Sequence, residues 1–191
     1  MTRIGIVLGS TRPNRNGEAI GRWVYEHATQ RDDAQFDLID LVEVGLPLLD
    51  EPLPPAMGQE PKHEHTRRWA RTVELFDGFV FVSPEYNHSV PAALKNALDF
   101  LFAEWNDKAC GLVTYGSAGG VRAGEHLRQI AGELKMADVR AQVMLQFGAD
   151  FDDRWQFRPR DFQEQALHAM LDELVSWSDA LRNVRVVRQT A

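Results

Sequence analysis

Five short apolar runs, each long enough for a strand, alternate along this chain with residues that recur at helical spacing. The runs are Arg3–Leu8, Phe36–Leu41, Phe79–Ser83, Ala109–Tyr115 and Val139–Phe147. The segment Phe79–Ser83 (FVFVS) is apolar on both faces, as in a parallel sheet covered on each side by helices. From Val139 onward, apolar Val139, Ala141, Val143, Leu145 and Phe147 alternate with Arg140, Gln142, Met144 and Gln146, the period-two pattern of a half-exposed edge strand. Helical spacing is carried by Ile20, Trp23, Val24, His27 and Ala28, by Leu94, Ala97, Leu98, Leu101 and Phe102, by Leu127, Ile130, Ala131 and Leu134, and by Leu167, Met170, Leu171, Leu174 and Val175. Pro91 suits the first turn of the second of these, and Asp161 with Glu164 resembles a capping box before the last. The pattern predicts an α/β chain built on a doubly wound, five-stranded parallel sheet.

The 191 residues contain no repeat and no domain linker, which predicts a single domain over 1–191 with a flexible tail after Arg182. Residues 45–62 are proline-rich and aperiodic and read as a long surface loop of the kind that borders ligand sites. With 21 basic against 28 acidic residues, the net charge of -7 lacks the footprint of a nucleic-acid binder and offers nothing to an anionic membrane. The opening MTRIGIVLGSTR has an apolar stretch too short for a secretory leader, and no stretch approaches a membrane span. The single cysteine, Cys110, excludes an internal disulfide and reads as a small buried hydrophobe. Together these predict a cytoplasmic protein.

Ligands of such sheets bind at the C-terminal ends of the strands, so the loops there carry the functional reading. The first is Gly9-Ser10-Thr11-Arg12-Pro13-Asn14-Arg15-Asn16-Gly17, leading into a helix. Helix N-terminal N–H groups, the hydroxyls of Ser10 and Thr11, the charges of Arg12 and Arg15, and close backbone approach at Gly9 and Gly17 suit a phosphate monoester. The segment is neither G-x-G-x-x-G nor a Walker loop. A plain polar turn, with Asn16 capping the helix and Arg15 facing solvent, remains open at this point. The third run leads into Ser83-Pro84-Glu85-Tyr86-Asn87-His88-Ser89-Val90-Pro91, whose aromatic, amide and backbone groups suit a flat heteroaromatic ring. The fourth leads into Tyr115-Gly116-Ser117-Ala118-Gly119-Gly120, where glycines permit close approach to a planar ligand. His88 reads as structural or surface. His63 and His65 lie in a charged stretch with no matching cluster, so no metal site is assigned. The tryptophans read as packing residues.

At these residues the chain resembles the NAD(P)H-dependent FMN reductase family, which includes quinone, chromate and azo-dye reductases. GSTRPNRNG at 9–17, SPEYNHSVPAALKNALDFL at 83–101 and YGSAGG at 115–120 carry the likeness, the second as the family's hallmark. The resemblance implies a flavodoxin-like three-layer sandwich, non-covalent FMN, NADPH or NADH as co-substrate, a small-molecule electron acceptor, and a homodimer or homotetramer. It implies that Ser10 and Arg12 bind the FMN phosphate, with Arg15, Asn16 and Gly17 where the family's loop commonly has S-x-N, so that Arg15 and Gly17 depart from it. It implies that Pro84, Glu85, Tyr86 and Asn87 contact the isoalloxazine ring largely through backbone groups. Ser117, Gly119 and Gly120, after Tyr115, match the third FMN loop. No side chain is assigned as catalytic, because the flavin carries the redox chemistry. The alternatives are a flavodoxin-like electron carrier and a non-enzymatic FMN-binding sensor; arginines in place of a T-x-T-G-x-T loop favour the reductase.

Overall fold

A computed structural model describes residues 1–190, with side chains through residue 187. Strands β1 (Thr2–Leu8), β2 (Ala34–Asp40), β3 (Gly78–Pro84), β4 (Ala109–Gly116) and β5 (Ala137–Gln146) form one sheet in the order β2-β1-β3-β4-β5. Every neighbouring pair is parallel. Helices α1 (Gly17–Ala28), α2 (Leu41–Val44), α3 (Glu64–Glu74), α4 (Ala92–Asp99), α5 (Val121–Glu133) and α6 (Asp161–Thr190) fill the connections and the C-terminus. This is the flavodoxin-like α/β sandwich with the expected five parallel strands, and its strand order reverses between β1 and β3, where such folds open a ligand crevice.

The alternation of β3 explains the two cores. Val80 and Val82 pack with Ile20 and Val24 of α1 and Leu167, Met170 and Leu174 of α6. Phe79 and Phe81 point the other way, into a core with Trp69 and Val73 of α3, Leu94 and Leu98 of α4, and Leu127 of α5. All seven residues of β3 are buried, whereas β5 keeps Val139, Val143 and Leu145 inside and Arg140, Met144 and Gln146 outside, as its alternation requires. Cys110 is fully buried, and burial pushes its thiol far above the ordinary range.

Helix α3 is absent from the expected pattern. Its buried Thr66, Trp69, Ala70 and Val73 follow i, i+3, i+4, i+7, yet they are embedded in EHTRRWARTVE and follow the proline-rich stretch, so the charged surroundings hide them. Pro91 stands one place before the first turn of α4, as its N-cap. Asp161 is the first residue of α6 rather than its cap, and with Glu164 it brings negative charge to the positive end of the helix. Helix α6 continues beyond Arg182, and the Arg185 guanidinium bonds both the Asp77 carboxylate and the Asp107 carbonyl. Trp69 and Trp105 are core residues, but Trp155 and Trp177 are exposed.

The loop over 45–62 is pinned by Asn96, whose side-chain oxygen accepts from Leu49 N–H at 2.9 Å while its Nδ2 donates to Pro47 O at 2.7 Å. That explains one polar residue of the PAALKNALD segment. Leu94 and Leu98 are buried, and Lys95 pairs with Asp99 one turn on at 2.7 Å. With residues 100–104 the loop walls a cleft of about 280 Å³, and none of the glycine-rich strand-end loops lines it.

Candidate functional site

The loops after β1, β3 and β4 meet at the C-terminal edge of the sheet. Gly9 N–H donates to Val82 O at 2.9 Å, and a Cβ at Gly9 would lie 2.9 Å from Leu94 Cδ2 and 3.1 Å from Val82 O, so the first loop passes close against β3 and α4. Ser10, 1% exposed, shares a hydrogen bond of 2.7 Å with the hydroxyl of Tyr86. Arg12 is exposed and donates its backbone N–H to Ser10 Oγ. At the far end of this loop Gly17, the first residue of α1, is buried against Tyr115, where a Cβ would come within 2.8 Å of the phenolic oxygen.

The Tyr115 hydroxyl is buried and its proton has no acceptor, with the backbone N–H of Gly17 beside its oxygen. Burial pushes its ionisation far above the ordinary range, so it remains a neutral donor. The intrahelical bonds of α1 begin with Ile20 N–H to Asn16 O, which leaves the amides of Gly17, Glu18 and Ala19 at the positive end of the helix. An unpartnered buried donor beside the open end of a helix calls for an acceptor that the fold itself does not supply. It fits an anionic oxygen such as that of a phosphate monoester.

Arg15 takes a different place from a free anion-binding cation. Its guanidinium, 8% exposed, pairs with Asp40 at 2.5 Å and Glu18 at 2.9 Å. Asp40 also caps α2 by accepting from Val42 N–H, so the Arg15–Asp40 contact ties the first loop to the end of β2. Asn16 occupies the N-cap of α1 without a side-chain capping bond.

The loop after β3 makes a tight two-residue turn. Tyr86 N–H donates to Ser89 O at 2.9 Å and Ser89 N–H returns to Tyr86 O at 3.2 Å. Between them Asn87 and His88 both hold positive φ, 49° and 78°, the type I′ geometry. Both are exposed, and among the described residues their N–H groups have no hydrogen-bond partner. Pro84 is the last residue of β3 and is buried.

Glu85 looks the other way. Its N–H donates to Tyr115 O at 2.8 Å, and its carboxylate pairs with the Arg122 guanidinium and accepts from Arg122 N–H at 3.1 Å. Burial disfavours its charge, but these bonds from the start of α5 outweigh that and hold the carboxyl below the usual range. Glu85 therefore clamps the second loop to the third.

In the third loop, Gly119 and Gly120 are buried at φ +69°, and a Cβ on Gly120 would come within 2.6 Å of Tyr115 N. Thr114 Oγ1 donates to Gly119 O at 2.8 Å. The turn thus folds back onto β4 and leaves Ser117 exposed at its tip. The residues that reading the sequence overlooks here are Asp40, Thr114 and Arg122. Asp40 and Arg122 act on partners 25 and 37 positions away, which no local pattern signals.

The sequence family described as NADPH-dependent FMN reductase matches residues 2–150. An NAD(P)H-dependent FMN reductase of Schizosaccharomyces pombe is 41% identical over 135 residues, 70% of this chain and 68% of the relative. One from a Nectria species is 35% identical over 158 residues, 80% of this chain and 79% of that one. A quinone reductase of Pseudomonas putida is 29% identical over 91% of this chain and 93% of its own length. Among solved structures, the flavoenzyme NAD(P)H:(acceptor) oxidoreductase FerB from Paracoccus denitrificans superposes with a TM-score of 0.73 at 18% identity, covering 94% of this chain and 98% of FerB, a likeness of fold.

Proposed function

This chain belongs to the NADPH-dependent FMN reductase family, and from that premise we propose an FMN-dependent oxidoreductase that takes reducing equivalents from NADPH or NADH and passes them to a small-molecule acceptor. Free flavin, quinones and azo or nitro compounds are the acceptor classes, with donor and acceptor using one site in turn. FMN, when bound, supplies a ring that accepts hydride from the nucleotide and gives electrons to the acceptor.

The chain's own part is binding and positioning. The observation that carries the reading is the buried, unpartnered Tyr115 hydroxyl beside Gly17 at the open end of α1. With Ser10 it provides neutral donors for a phosphate, and Arg12 provides charge from the exposed side. Arg15, already paired with Asp40 and Glu18, acts by fixing the loop, with Asn16 and Gly17 shaping its junction with α1. Pro84, Glu85, Tyr86 and Asn87 form the ring-side wall. The exposed N–H groups of Asn87 and His88 are the donors suited to a ring edge, and Glu85 keeps the wall against the Ser117–Gly120 turn. No side chain need act as nucleophile or obligatory acid. A homodimer or homotetramer would narrow the open side of the site, and the working compartment is the cytoplasm. No helix among the described residues is long and apolar enough to cross a membrane.

Anaerobic stopped-flow mixing of FMN-loaded protein with NADPH or NADH tests the reading. Loss of the oxidised flavin band with at least one nucleotide, and its return on adding a quinone, is expected. Tight FMN binding with no bleaching by either nucleotide would reduce the protein to a carrier or sensor.

A further inference from the structure

On the outer side of the sheet from α3, α4 and α5, the last turn of α1 faces the first turns of α6. His27 of α1 and Glu164 and His168 of α6 each offer a ligand atom there, and these atoms all lie within 4.8 Å of one another. Glu164 Oε1 stands 3.7 Å from His27 Nδ1 and 3.6 Å from His168 Nε2. Both separations exceed the ~3.2 Å reach of a good N–H···O hydrogen bond. They are close to the ~3.4 Å edge of a tetrahedron whose centre lies about 2.1 Å from each N or O ligand. Among the described residues, the ion-pair partners of Glu164 are these two imidazoles.

The arrangement is braced. The His27 ring packs edge-on against Trp23 at 5.4 Å between centroids and against His168 at 5.6 Å, and Trp23 in turn packs on Phe157. Glu164 and His168 are one turn apart on one helix face. The next cation along this face, Arg31, is occupied by Asp33 and Asp172 and so does not neutralise Glu164.

We infer that His27, Glu164 and His168 form a site for one divalent transition-metal ion of the zinc class, with a solvent-facing fourth position left for water. Two imidazoles and one carboxylate are a zinc-type donor set, and hard cations such as Mg²⁺ call for more oxygens than three side chains supply. The ion would fasten the end of α1 to the start of α6. His27 is ten residues beyond Gly17 on α1, about 15 Å along the helix, so this site is separate from the loop cluster. Ligands drawn from positions 27, 164 and 168 form no sequence motif, which is why no metal site is expected from the sequence.

Untagged, FMN-loaded protein, stripped with a chelator and dialysed, should take up one equivalent of Zn²⁺ from ZnCl₂ in a saturable isotherm at micromolar concentration. MgCl₂ should give none. Loss of an outer partner of a metal ligand costs about 10–100-fold in affinity, so His168→Ala and Glu164→Gln should each weaken Zn²⁺ at least that much. Both side chains are about half exposed, and neither change should alter folding. The double variant His63→Ala/His65→Ala should leave the isotherm unchanged, since those rings, stacked at 5.2 Å, form the nearest competing imidazole pair in sequence. Zn²⁺ should also raise the melting temperature of the parent protein and not that of His168→Ala. An isotherm unmoved by His168→Ala and Glu164→Gln, or abolished by His63→Ala/His65→Ala, or no saturable uptake at all, overturns the assignment.

Discussion

The hydroxyls of Ser10 and Tyr86 lie 2.7 Å apart, though 76 positions separate them in the chain. This contact joins the loop after β1 to the loop after β3 across the point where the strand order reverses. It holds a buried serine in a defined rotamer at the mouth of the first loop. A hydroxyl pair of this kind can reopen toward an anion, because either oxygen can donate or accept.

Arg12 is exposed and should act on phosphate alone. Arg12→Ala is expected to weaken FMN about tenfold or more, the scale of a hydrogen bond to a charged group, while riboflavin, which lacks the phosphate, changes by less than about twofold. Fluorescence titration with the two ligands measures the difference. Equal weakening of both would remove the phosphate role.

Tyr115 should trade stability for binding. Its buried hydroxyl proton has no acceptor, and such an unsatisfied donor costs about 1–3 kcal/mol. Tyr115→Phe should therefore raise the melting temperature of FMN-free protein by roughly 2–4 °C per kcal/mol recovered, and lower FMN affinity severalfold. Differential scanning calorimetry on FMN-free protein, beside a ligand titration, checks both. A variant that melts lower and binds FMN as before contradicts the assignment.

Glu85 should carry part of the acid sensitivity. Its carboxyl is held below the ordinary 4.5 in the folded chain, so its stabilisation is present above that pH and is lost as pH falls through the folded value. Glu85→Gln should be less stable than the parent at neutral pH, and the gap should close on acidification. Urea unfolding at a series of pH values reports the gap; a constant gap refutes the Glu85–Arg122 clamp.

Lys108 gives a slope of opposite origin. It is 4% exposed, its ammonium donates to Val73 O at 2.8 Å, and burial lowers its pKa from 10.5 to about 8. The unfolded chain holds the extra proton between those values, so stability should rise with pH across that window, by up to about 3 kcal/mol. Lys108→Met should lack this rise. The comparison is the difference between the two unfolding curves from pH 8 to 10.5, and parallel curves would refute it.

Much of this molecule is legible without coordinates because its signals are local. The apolar runs place all five strands, the alternation after Val139 marks an edge, and GSTRPNRNG, PEYN and YGSAGG fall where β1, β3 and β4 end. What escapes is whatever depends on a distant partner. No local pattern pairs Arg15 with Asp40 or the Glu85 carboxylate with Arg122. Helix α3 escapes for another reason: its four buried residues keep helical phase inside a segment whose charge masks them.

The strand order has a consequence for synthesis. Strand β3 sits next to β1, although residues 9 to 77 emerge between them, so the contacts that shape the pocket are of long range in sequence. If the proposed site holds FMN, a nascent chain on the ribosome lacks part of the pocket until Gly120 has left the exit tunnel. Cofactor capture at the proposed site would then be a late event, and retention of FMN would report that β1, β3 and β4 have reached their native order.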